Sequence, residues 1–427
     1  MSGLFRTRRP RPAALVLPLL LFPLCGCDTS GKYPADLNYP LRADLIYVEP
    51  PTVNPQPFYP SRPGHLDQDI ATINDRKGKT LDPAKLAADD RAALRTKLKE
   101  LFGTPAAPKV GGEDDDDVKA AVKKLQLTEA TLAAGSVVYR RHCLHCHGLA
   151  GDGRGPTGPW LSPHPRDYRL GKFKFMSTAL KVSISRKPRR EDLVRTVRTG
   201  IDGSSMPSFS LLTEQELDQV VSYVIHLSLR GEVEYDTMKK ILTDNSKDNL
   251  VDSEIGAHCE SQLKLFLVGT KANPGGWANS DRPEEPKSYP YEDDQLAESI
   301  KRGYALFTNT TSAASCIGCH LDYGRQVPFR YDDWGTLVRP ANLTTGVYRG
   351  GRRPIDLYWR IKLGVPPSQM PAATDLKRDD AKRTDEYWDL VNFVQALPYP
   401  QMLPEEIRKR IYPEPKAPTK GEHASSR

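Results

Sequence analysis

Two segments of the chain carry an apolar stripe at the i, i+3, i+4, i+7 spacing of a helix with one buried face. In residues 213–227 the stripe consists of Leu217, Val220, Val221 and Val224. In residues 384–397 it consists of Tyr387, Leu390, Val391 and Val394. Thr213 and Glu216 have the spacing of a capping box, and Thr384 is the expected N-cap of the later helix. The pattern predicts two amphipathic helices of the same kind.

Each predicted helix ends a longer series of parts, and the series occurs twice. An earlier helix carries a glycine and, four residues on, an aromatic residue: Gly135 with Tyr139, and Gly303 with Phe307. A cysteine- and histidine-rich motif, a long irregular region and the striped helix follow in both halves. The repeated order predicts one helical domain present twice. We therefore expect an all-α protein with domains at 126–230 and 293–400.

The remaining segments are more irregular. Residues 27–125 form a Pro- and Tyr-rich N-terminal region, with one helix predicted at 83–102 from leucines at near-helical spacing, and the acidic run 111–117 is expected to be a solvated loop. The prolines of 33–63 exclude helix there, which leaves either a spacer or a strap lying on a partner. Residues 231–292 are predicted to be a mixed linker with one short helix, and 401–427 a C-terminal tail.

The first 26 residues have the pattern of an export signal. Four arginines without an acid precede the apolar run "AALVLPLLLFPL", which is short and broken by proline for a membrane span. The following "LCGC" resembles the lipobox of bacterial lipoproteins, and the resemblance implies a lipid on Cys27; an ordinary cleaved signal is the alternative. The formal net charge of +7 falls when these arginines are removed, so nucleic-acid binding has no support.

Four of the seven cysteines lie in two Cys-x-x-Cys-His motifs. The first consists of Cys143, Cys146 and His147, and the second of Cys316, Cys319 and His320. This motif is typical of c-type haem attachment, because two thiols three residues apart can reach both vinyl groups of one porphyrin while the next histidine lies under the iron. A thioredoxin-like pair needs an α/β context, and a zinc ribbon needs a second cysteine pair nearby. The sequence shows neither feature.

Each half also places one Met-Pro dipeptide between its haem motif and its last helix. Met206 and Met370 are two of only six methionines, and a thioether is a soft ligand that favours ferrous iron. We therefore expect Met206 and Met370 to be the sixth ligands of two irons. His164 and Met176 remain alternatives in the first half, and core packing is the alternative role for any methionine.

On these motifs, both halves resemble class I cytochrome c domains. The resemblance implies that the glycine and aromatic residue of the first helix pack on the last helix. It also implies that a proline carbonyl accepts the hydrogen bond of the proximal histidine, with Pro156 of "GDGRGP" as the candidate in the first half and Pro328 in the second. The similar segments 164–175 and 339–350 would wrap each haem, with Arg166 and Arg339 as candidate contacts of its propionates.

The predicted function is that of a membrane-anchored dihaem c-type cytochrome with two covalent haems. It would transfer electrons in an extracytoplasmic respiratory chain, on the periplasmic face of a bacterial membrane. Its expected partners are a quinol-oxidising complex or dehydrogenase and a terminal oxidase or reductase, met as a free carrier or as a subunit. The alternative is a dihaem peroxidase-like enzyme, which needs a displaceable ligand on one iron. Two features stay open: the basic segment 172–198 is either a docking face or a solvated surface, and Cys259 is either a buried or a reactive thiol.

Overall fold

The computed structural model describes residues 31–48, 80–179, 187–243, 252–272, 274–311, 315–327, 330–332, 337–368 and 370–414. The predicted signal segment 1–26, Cys27 and Pro328 lie outside these residues. The described chain is rich in helix and contains only two-residue strands, in antiparallel pairs, which confirms the all-α fold. No helix within the described ranges is both long and apolar enough to span a bilayer.

The N-terminal region packs on the chain's own first domain. Strand β1 (Ile46–Tyr47) pairs with β2 (Thr80–Leu81). Tyr39 is buried, and its hydroxyl lies 2.8 Å from the hydroxyl of Tyr223. The backbone N–H of Arg42 donates to Glu234 Oε1 at 2.6 Å. The described part of the Pro- and Tyr-rich segment is therefore neither a free spacer nor a strap held only by a partner.

Two helices follow where one was predicted. Helix α1 (Ala88–Phe102) confirms the predicted helix but begins later than expected, after a separate 3-10 turn at Pro83–Lys85. Helix α2 (Asp116–Lys124) begins inside the acidic run that was expected to be a loop. The helix starts here for a local reason. The Asp115 carboxylate accepts from the backbone N–H groups of Asp117 and Val118 and so caps α2. Carboxylates in a first helical turn also lie favourably in the helix dipole.

The first domain is built on a close helix pair. Helix α3 (Glu129–His142) is followed by the short helix α4 (Leu144–His147), by α5 (Arg190–Thr199) and by α6 (Glu214–Thr243). A Cβ atom added at Gly135 would lie 2.1 Å from the carbonyl oxygen of Gln219. Only glycine allows the two backbones to approach so closely. Tyr139, one turn later, is fully buried, and its ring centroid lies 5.2 Å from that of Tyr223 on α6, which is the packing on the last helix that the resemblance to cytochrome c implied.

The linker predicted at 231–292 shares the core of the first domain. Its short helix is the C-terminal end of α6, which runs on to Thr243. Helix α7 (Asp252–Leu267) then contributes Ile255, Leu263 and Leu267 to the same hydrophobic core. Trp277 is buried there as well. The apolar residues of α6 thus continue past the predicted boundary because a second layer of helices covers them.

The second domain repeats the helix pair in a simpler setting. Its helices are α8 (Leu296–Thr308), the short α9 (Cys316–Cys319), α10 (Pro354–Leu363), α11 (Glu386–Ala396) and α12 (Glu405–Ile411). Strand β3 (Arg330–Tyr331) pairs with β4 (Leu337–Val338), and β5 (Arg378–Asp379) with β6 (Thr384–Asp385). A Cβ at Gly303 would lie 2.0 Å from the Asp389 carbonyl oxygen. Asp385, one residue later than the predicted Thr384, caps α11.

Direct contacts join the two domains. Arg360 of α10 donates from Nη2 to the Met176 carbonyl at 2.8 Å, and its guanidinium carbon lies 5.5 Å from the centroid of the Phe175 ring. Arg352 forms an ion pair with Asp202 at 3.2 Å. Because Arg360 is buried, this contact is part of the packed interior rather than a loose touch between surfaces.

Candidate haem-binding sites

The first cysteine motif forms one helical turn. The backbone N–H of Cys143 still donates to the Tyr139 carbonyl at 2.8 Å, and that of His147 donates to the Cys143 carbonyl at 2.9 Å. The motif therefore continues directly from α3. Cys143 and Cys146 are half-buried and form no disulfide with each other. Two thiols and an imidazole on one turn suit covalent haem attachment.

The imidazole of His147 is oriented by a backbone carbonyl. Its Nδ1 lies 3.1 Å from the carbonyl oxygen of Arg166. When Nδ1–H donates to this oxygen, Nε2 is left without a proton and can bind a metal. The expectation that Pro156 supplies the carbonyl is wrong. The backbone of Gly155 donates to the Cys146 carbonyl at 3.1 Å, and the loop closed in this way leaves Pro156 exposed at the surface.

An aromatic ring covers one side of the same histidine. The Tyr168 ring stacks on His147 with centroids 4.8 Å apart and an interplanar angle of 20°. Tyr168 is itself stacked on Phe173 at 5.8 Å. Burial lowers the pKa of His147 to about 4, so the imidazole is neutral at physiological pH. Neutral imidazole is the form that binds metal.

The second motif repeats this geometry. The backbone N–H of His320 donates to the Cys316 carbonyl at 2.8 Å, and Nδ1 lies 3.1 Å from the carbonyl oxygen of Ala341. Cys316 and Cys319 likewise form no disulfide with each other. Burial lowers the pKa of His320 too. Pro328, the candidate acceptor in this half, lies outside the described residues, and the described acceptor is Ala341.

The two carbonyl acceptors were missed, although the sequence held a signal for them. Arg166 follows Pro165 in "HPRD", and Ala341 follows Pro340 in "RPAN". Both tetrapeptides open the paired segments noted in the sequence, and each acceptor is the residue after the shared proline. A backbone carbonyl leaves no side-chain signature of its own, so only the similarity between the halves could have indicated it.

Both Met-Pro dipeptides lie in the same kind of loop. Helix α5 ends at Gly200, which has a φ of 69°, and the Ile201 N–H donates to the Met206 carbonyl at 3.1 Å. Helix α10 ends at Gly364, with a φ of 70°, and the Val365 N–H donates to the Met370 carbonyl at 3.0 Å. The structure thus gives the two methionines equivalent positions. Their role as iron ligands stays a prediction.

The structure accounts for only one of the two rival ligands of the first half. His164 Nδ1 lies 3.1 Å from the carbonyl oxygen of Pro165, the same kind of contact that orients His147, and Nε2 of His164 therefore remains an alternative ligand. Met176 is 3% exposed and belongs to the hydrophobic core of the first domain. Core packing therefore accounts for Met176, whereas Met206 is half-buried in a loop.

The two arginines predicted to contact haem propionates differ in their exposure to solvent. Arg166 is half-buried between the domains, where the charge of Asp332 raises its pKa against a larger lowering by burial. Arg339 is exposed.

Cys259 is fully buried, and burial raises the pKa of its thiol. Cys259 is therefore a buried core residue, the first of its two alternatives.

The basic segment 172–198 is only partly a surface. Lys187 is 2% exposed and forms a buried ion pair with Glu232. Arg190 donates to the Leu125 carbonyl at 3.1 Å and to Ser222 Oγ at 3.0 Å. These two cations serve the packing of the first domain. A docking role for the segment could therefore use only its remaining charges.

Comparison with known proteins identifies the class of the first half. Residues 130–224 match the family model of cytochrome c oxidase, cbb3-type, subunit III. None of the curated proteins gives a significant match. A chain of the reducing HAO-like protein complex of Kuenenia stuttgartiensis matches with 24% identity and a TM-score of 0.40, covering 62% of this chain and 95% of its own. That TM-score is too low to support any inference.

The matched residues include the first Cys-x-x-Cys-His motif, Met206, nearly all of α3 and the N-terminal part of α6. Residues 130–224 therefore form a cytochrome c domain, and such a domain binds haem c covalently. The match covers this domain alone, and it supports a c-type cytochrome with a haem electron-transfer role.

Proposed function

We propose that the protein is a dihaem cytochrome c, with one covalent haem on each Cys-x-x-Cys-His motif and electron transfer as its function. The repeated geometry carries this proposal. In both halves the histidine Nδ1 lies 3.1 Å from a backbone carbonyl oxygen, and in both halves the Met-Pro loop is closed by one backbone hydrogen bond. A second half built on the same parts as a cytochrome c domain supports the same chemistry.

Each haem would be held by a separate set of residues. The two cysteines of each motif would hold the porphyrin by thioether bonds, and His147 and His320 would bind one face of the iron through Nε2. The carbonyl groups of Arg166 and Ala341 keep each Nδ1 protonated and fix the ring orientation. Met206 and Met370 would close the opposite face with sulfur. A haem closed on both faces exchanges single electrons with little reorganisation, whereas peroxide chemistry needs an open face.

The proposed setting is the periplasmic face of a bacterial membrane, with Cys27 as the lipid-bearing residue. Support comes from the sequence of the first 27 residues. Its redox partners would be a quinol-oxidising complex or dehydrogenase on one side and a terminal oxidase or reductase on the other. It would act in a respiratory chain, either as a free carrier or as a subunit of a complex.

Mass spectrometry of the exported protein tests the haem count directly. We expect two porphyrin adducts, one on the peptide with Cys143 and Cys146 and one on the peptide with Cys316 and Cys319. A lipid on Cys27 would be read in the same experiment from the N-terminal peptide. One adduct alone would contradict the dihaem proposal while leaving the cytochrome c domain intact.

The sixth ligands are tested by Met206→Ala and Met370→Ala. Each variant should abolish the methionine-to-iron charge-transfer band of one haem and open that iron to cyanide or imidazole, because its distal thioether is gone. Met402→Ala is the matched control, since Met402 is exposed at 45% in the C-terminal part. Met176→Ala tests the rival ligand. If Met176→Ala opened the first haem and Met206→Ala did not, the assignment would be reversed.

A further inference from the structure

The segment 166–169 controls the first motif histidine from two directions. The carbonyl oxygen of Arg166 lies 3.1 Å from His147 Nδ1, and the Tyr168 ring stacks on the imidazole at 4.8 Å. This segment has no regular secondary structure. Its position therefore depends on side-chain and backbone contacts with its surroundings, and any shift of it would change both contacts to the imidazole.

Part of that anchoring comes from the domain itself. The Tyr168 N–H donates to the Gly151 carbonyl at 2.7 Å, and the Ser228 hydroxyl donates to the Tyr168 carbonyl at 2.7 Å. At the end of the segment, a Cβ added to Gly231 of α6 would lie 2.4 Å from the Cα of Arg169. The backbone at Arg169 thus lies directly on α6.

The other part comes from a segment more than a hundred residues earlier in the chain. Asp44 accepts two hydrogen bonds from Arg169, at 2.8 and 3.1 Å. Asp167 accepts from Arg169 at 2.7 Å and from Arg42 at 3.3 Å. Arg154 approaches Asp44 at 3.8 Å. Three arginines and two aspartates thus form one ionic network, which we call the Asp44 network.

The Asp44 network is largely shielded from water. The side chains of Arg42 and Arg169 are 4% exposed, and those of Asp44 and Asp167 are 15% exposed. Burial raises the pKa of the Asp44 carboxyl, but the three arginines outweigh burial and hold that pKa well below its usual range. Removing one carboxylate would leave two buried guanidinium groups sharing a single partner, which is unfavourable.

We propose that Asp44 makes the N-terminal segment a positioning element of the first haem site, because it holds Arg169 and with it the backbone that orients His147. The inference rests on the proposed role of His147 as proximal ligand. A hydrogen bond to Nδ1 raises the electron donation of a ligating imidazole. A looser 166–169 segment should therefore destabilise the oxidised state of this haem and raise its reduction potential.

The second half provides an internal reference. There Ala341 is followed by Asn342. The side-chain oxygen of Asn342 accepts hydrogen bonds from the Thr344 backbone N–H at 3.0 Å and from the Thr344 hydroxyl at 2.7 Å. The side chain of Asn342 thus holds this acceptor segment in a local turn with Thr344. A change at Asp44 should leave the second haem unaffected.

The test uses the full-length holoprotein with Asp44→Asn. Asp36→Asn is the matched control, because Asp36 is exposed on the same N-terminal segment. In spectroelectrochemical titration, the haem that Met206→Ala shifts is the first one. We expect Asp44→Asn to change its oxidation equilibrium constant by up to about tenfold, or ~59 mV for one electron. The second haem of Asp44→Asn, and both haems of Asp36→Asn, should titrate as in the wild type.

A second variant keeps the test decisive if Asp44→Asn does not fold. Arg169→Lys retains the positive charge but loses the two-pronged contact with Asp44, and it should shift the first haem in the same direction by a smaller factor. A variant that lowers the unfolding temperature but leaves the potential of the first haem unchanged overturns the positioning role. Absence of porphyrin at Cys143 and Cys146 in the wild type would instead overturn the proposed function.

Discussion

The two halves of this protein contain equivalent helix pairs, and the pair of the first half is covered by more surrounding structure than that of the second. In the first half the core around α3 and α6 also includes residues of the N-terminal segment, α1, α2 and α7, from Tyr39 to Ala278. In the second half the core around α8 and α11 runs from Tyr291 to Ile411. The histidine is nevertheless held in the same way in both, by a carbonyl oxygen at 3.1 Å.

The difference shows that the haem motif and its helix pair are one unit, and that the surrounding layers are another. Tyr168 stacks on His147 at 4.8 Å, whereas Phe307 meets His320 at 6.2 Å and a tilt of 52°. The Tyr168 ring comes from the segment 164–175, at the place that Leu343 has in the paired segment 339–350, and a ring stacked on the imidazole from this place is a feature of the first half. Perturbing the shared parts should affect both halves alike, and perturbing the added layers should affect only the first.

The largest effect is expected where the helices of each pair touch. In Gly135→Ala and Gly303→Ala the new Cβ would lie 2.1 and 2.0 Å from backbone carbonyl oxygens. The helices must then separate, and we expect a loss of about 3 kcal/mol in the free energy of unfolding of the affected half. Chemical denaturation, followed by the Soret absorption of each haem, measures it.

Gly256→Ala of α7 is the control for this comparison. Its Cβ would meet only the Lys97 side chain, at 3.8 Å, so the change should stabilise the helix by up to about 1 kcal/mol. If Gly135→Ala and Gly303→Ala were as harmless as Gly256→Ala, the shared helix pair would not be the basis of both halves.

A smaller effect should distinguish the halves at acid pH. His226 of α6 lies between the Tyr39 and Tyr223 rings, and burial lowers its pKa from 6.5 to about 4, with the charge of Arg230 acting in the same direction. The unfolded chain therefore binds a proton more readily than the folded one below pH 6.5. The first half should lose about 2 kcal/mol of stability between pH 6.5 and 5.

Ala396 occupies the corresponding place in the second half, three residues after Phe393 as His226 follows Tyr223. Amide hydrogen exchange at pH 6.5 and 5 should therefore show weakened protection in α6 but not in α11. His226→Gln should remove most of this pH dependence, because glutamine does not titrate. Equal loss of protection in both helices would assign the acid sensitivity to another group.

The smallest effect concerns the caps of the two striped helices. At the start of α6, Thr213 Oγ1 accepts from the Glu216 N–H at 3.2 Å, and Glu216 accepts from the Thr213 N–H at 2.9 Å. Thr213→Ala should cost about 1 kcal/mol, measured by denaturation. Thr384→Ala should cost less, since Asp385 and not Thr384 caps α11. Equal costs would mean that this cap assignment is wrong.

The sequence predicted the shared parts better than the added layers. Motif spacing identified His147 and His320, and the glycine–aromatic pairs identified the helix contacts, because these features recur and leave a side-chain signature. The N-cap of α11 was misplaced by one residue because Thr384 and Asp385 are both capable caps. Only tertiary packing decides between two such neighbours.

The structure around the first helix pair could not be predicted from local sequence patterns. The N-terminal tyrosines gave no hint that Tyr39 would lie against Tyr223, since such contacts join residues far apart in the chain. The extension of α6 to Thr243 likewise depends on α7, which covers it. The carbonyl acceptors Arg166 and Ala341 act through the backbone, so any residue type could have stood there. Pro156 was predicted as the acceptor because the motif "GDGRGP" resembles a pattern of the cytochrome c family.

The buried Arg360 contact between the domains has a consequence for kinetics. Nη2 of Arg360 reaches the Met176 carbonyl across the boundary, and the Arg352–Asp202 ion pair adds a second tie. With both haems of the proposed function bound, the domain contact would hold them at a fixed separation, and they would need no diffusional encounter. Electron exchange between them would then be first order, independent of protein concentration and of solvent viscosity, with a single rate constant.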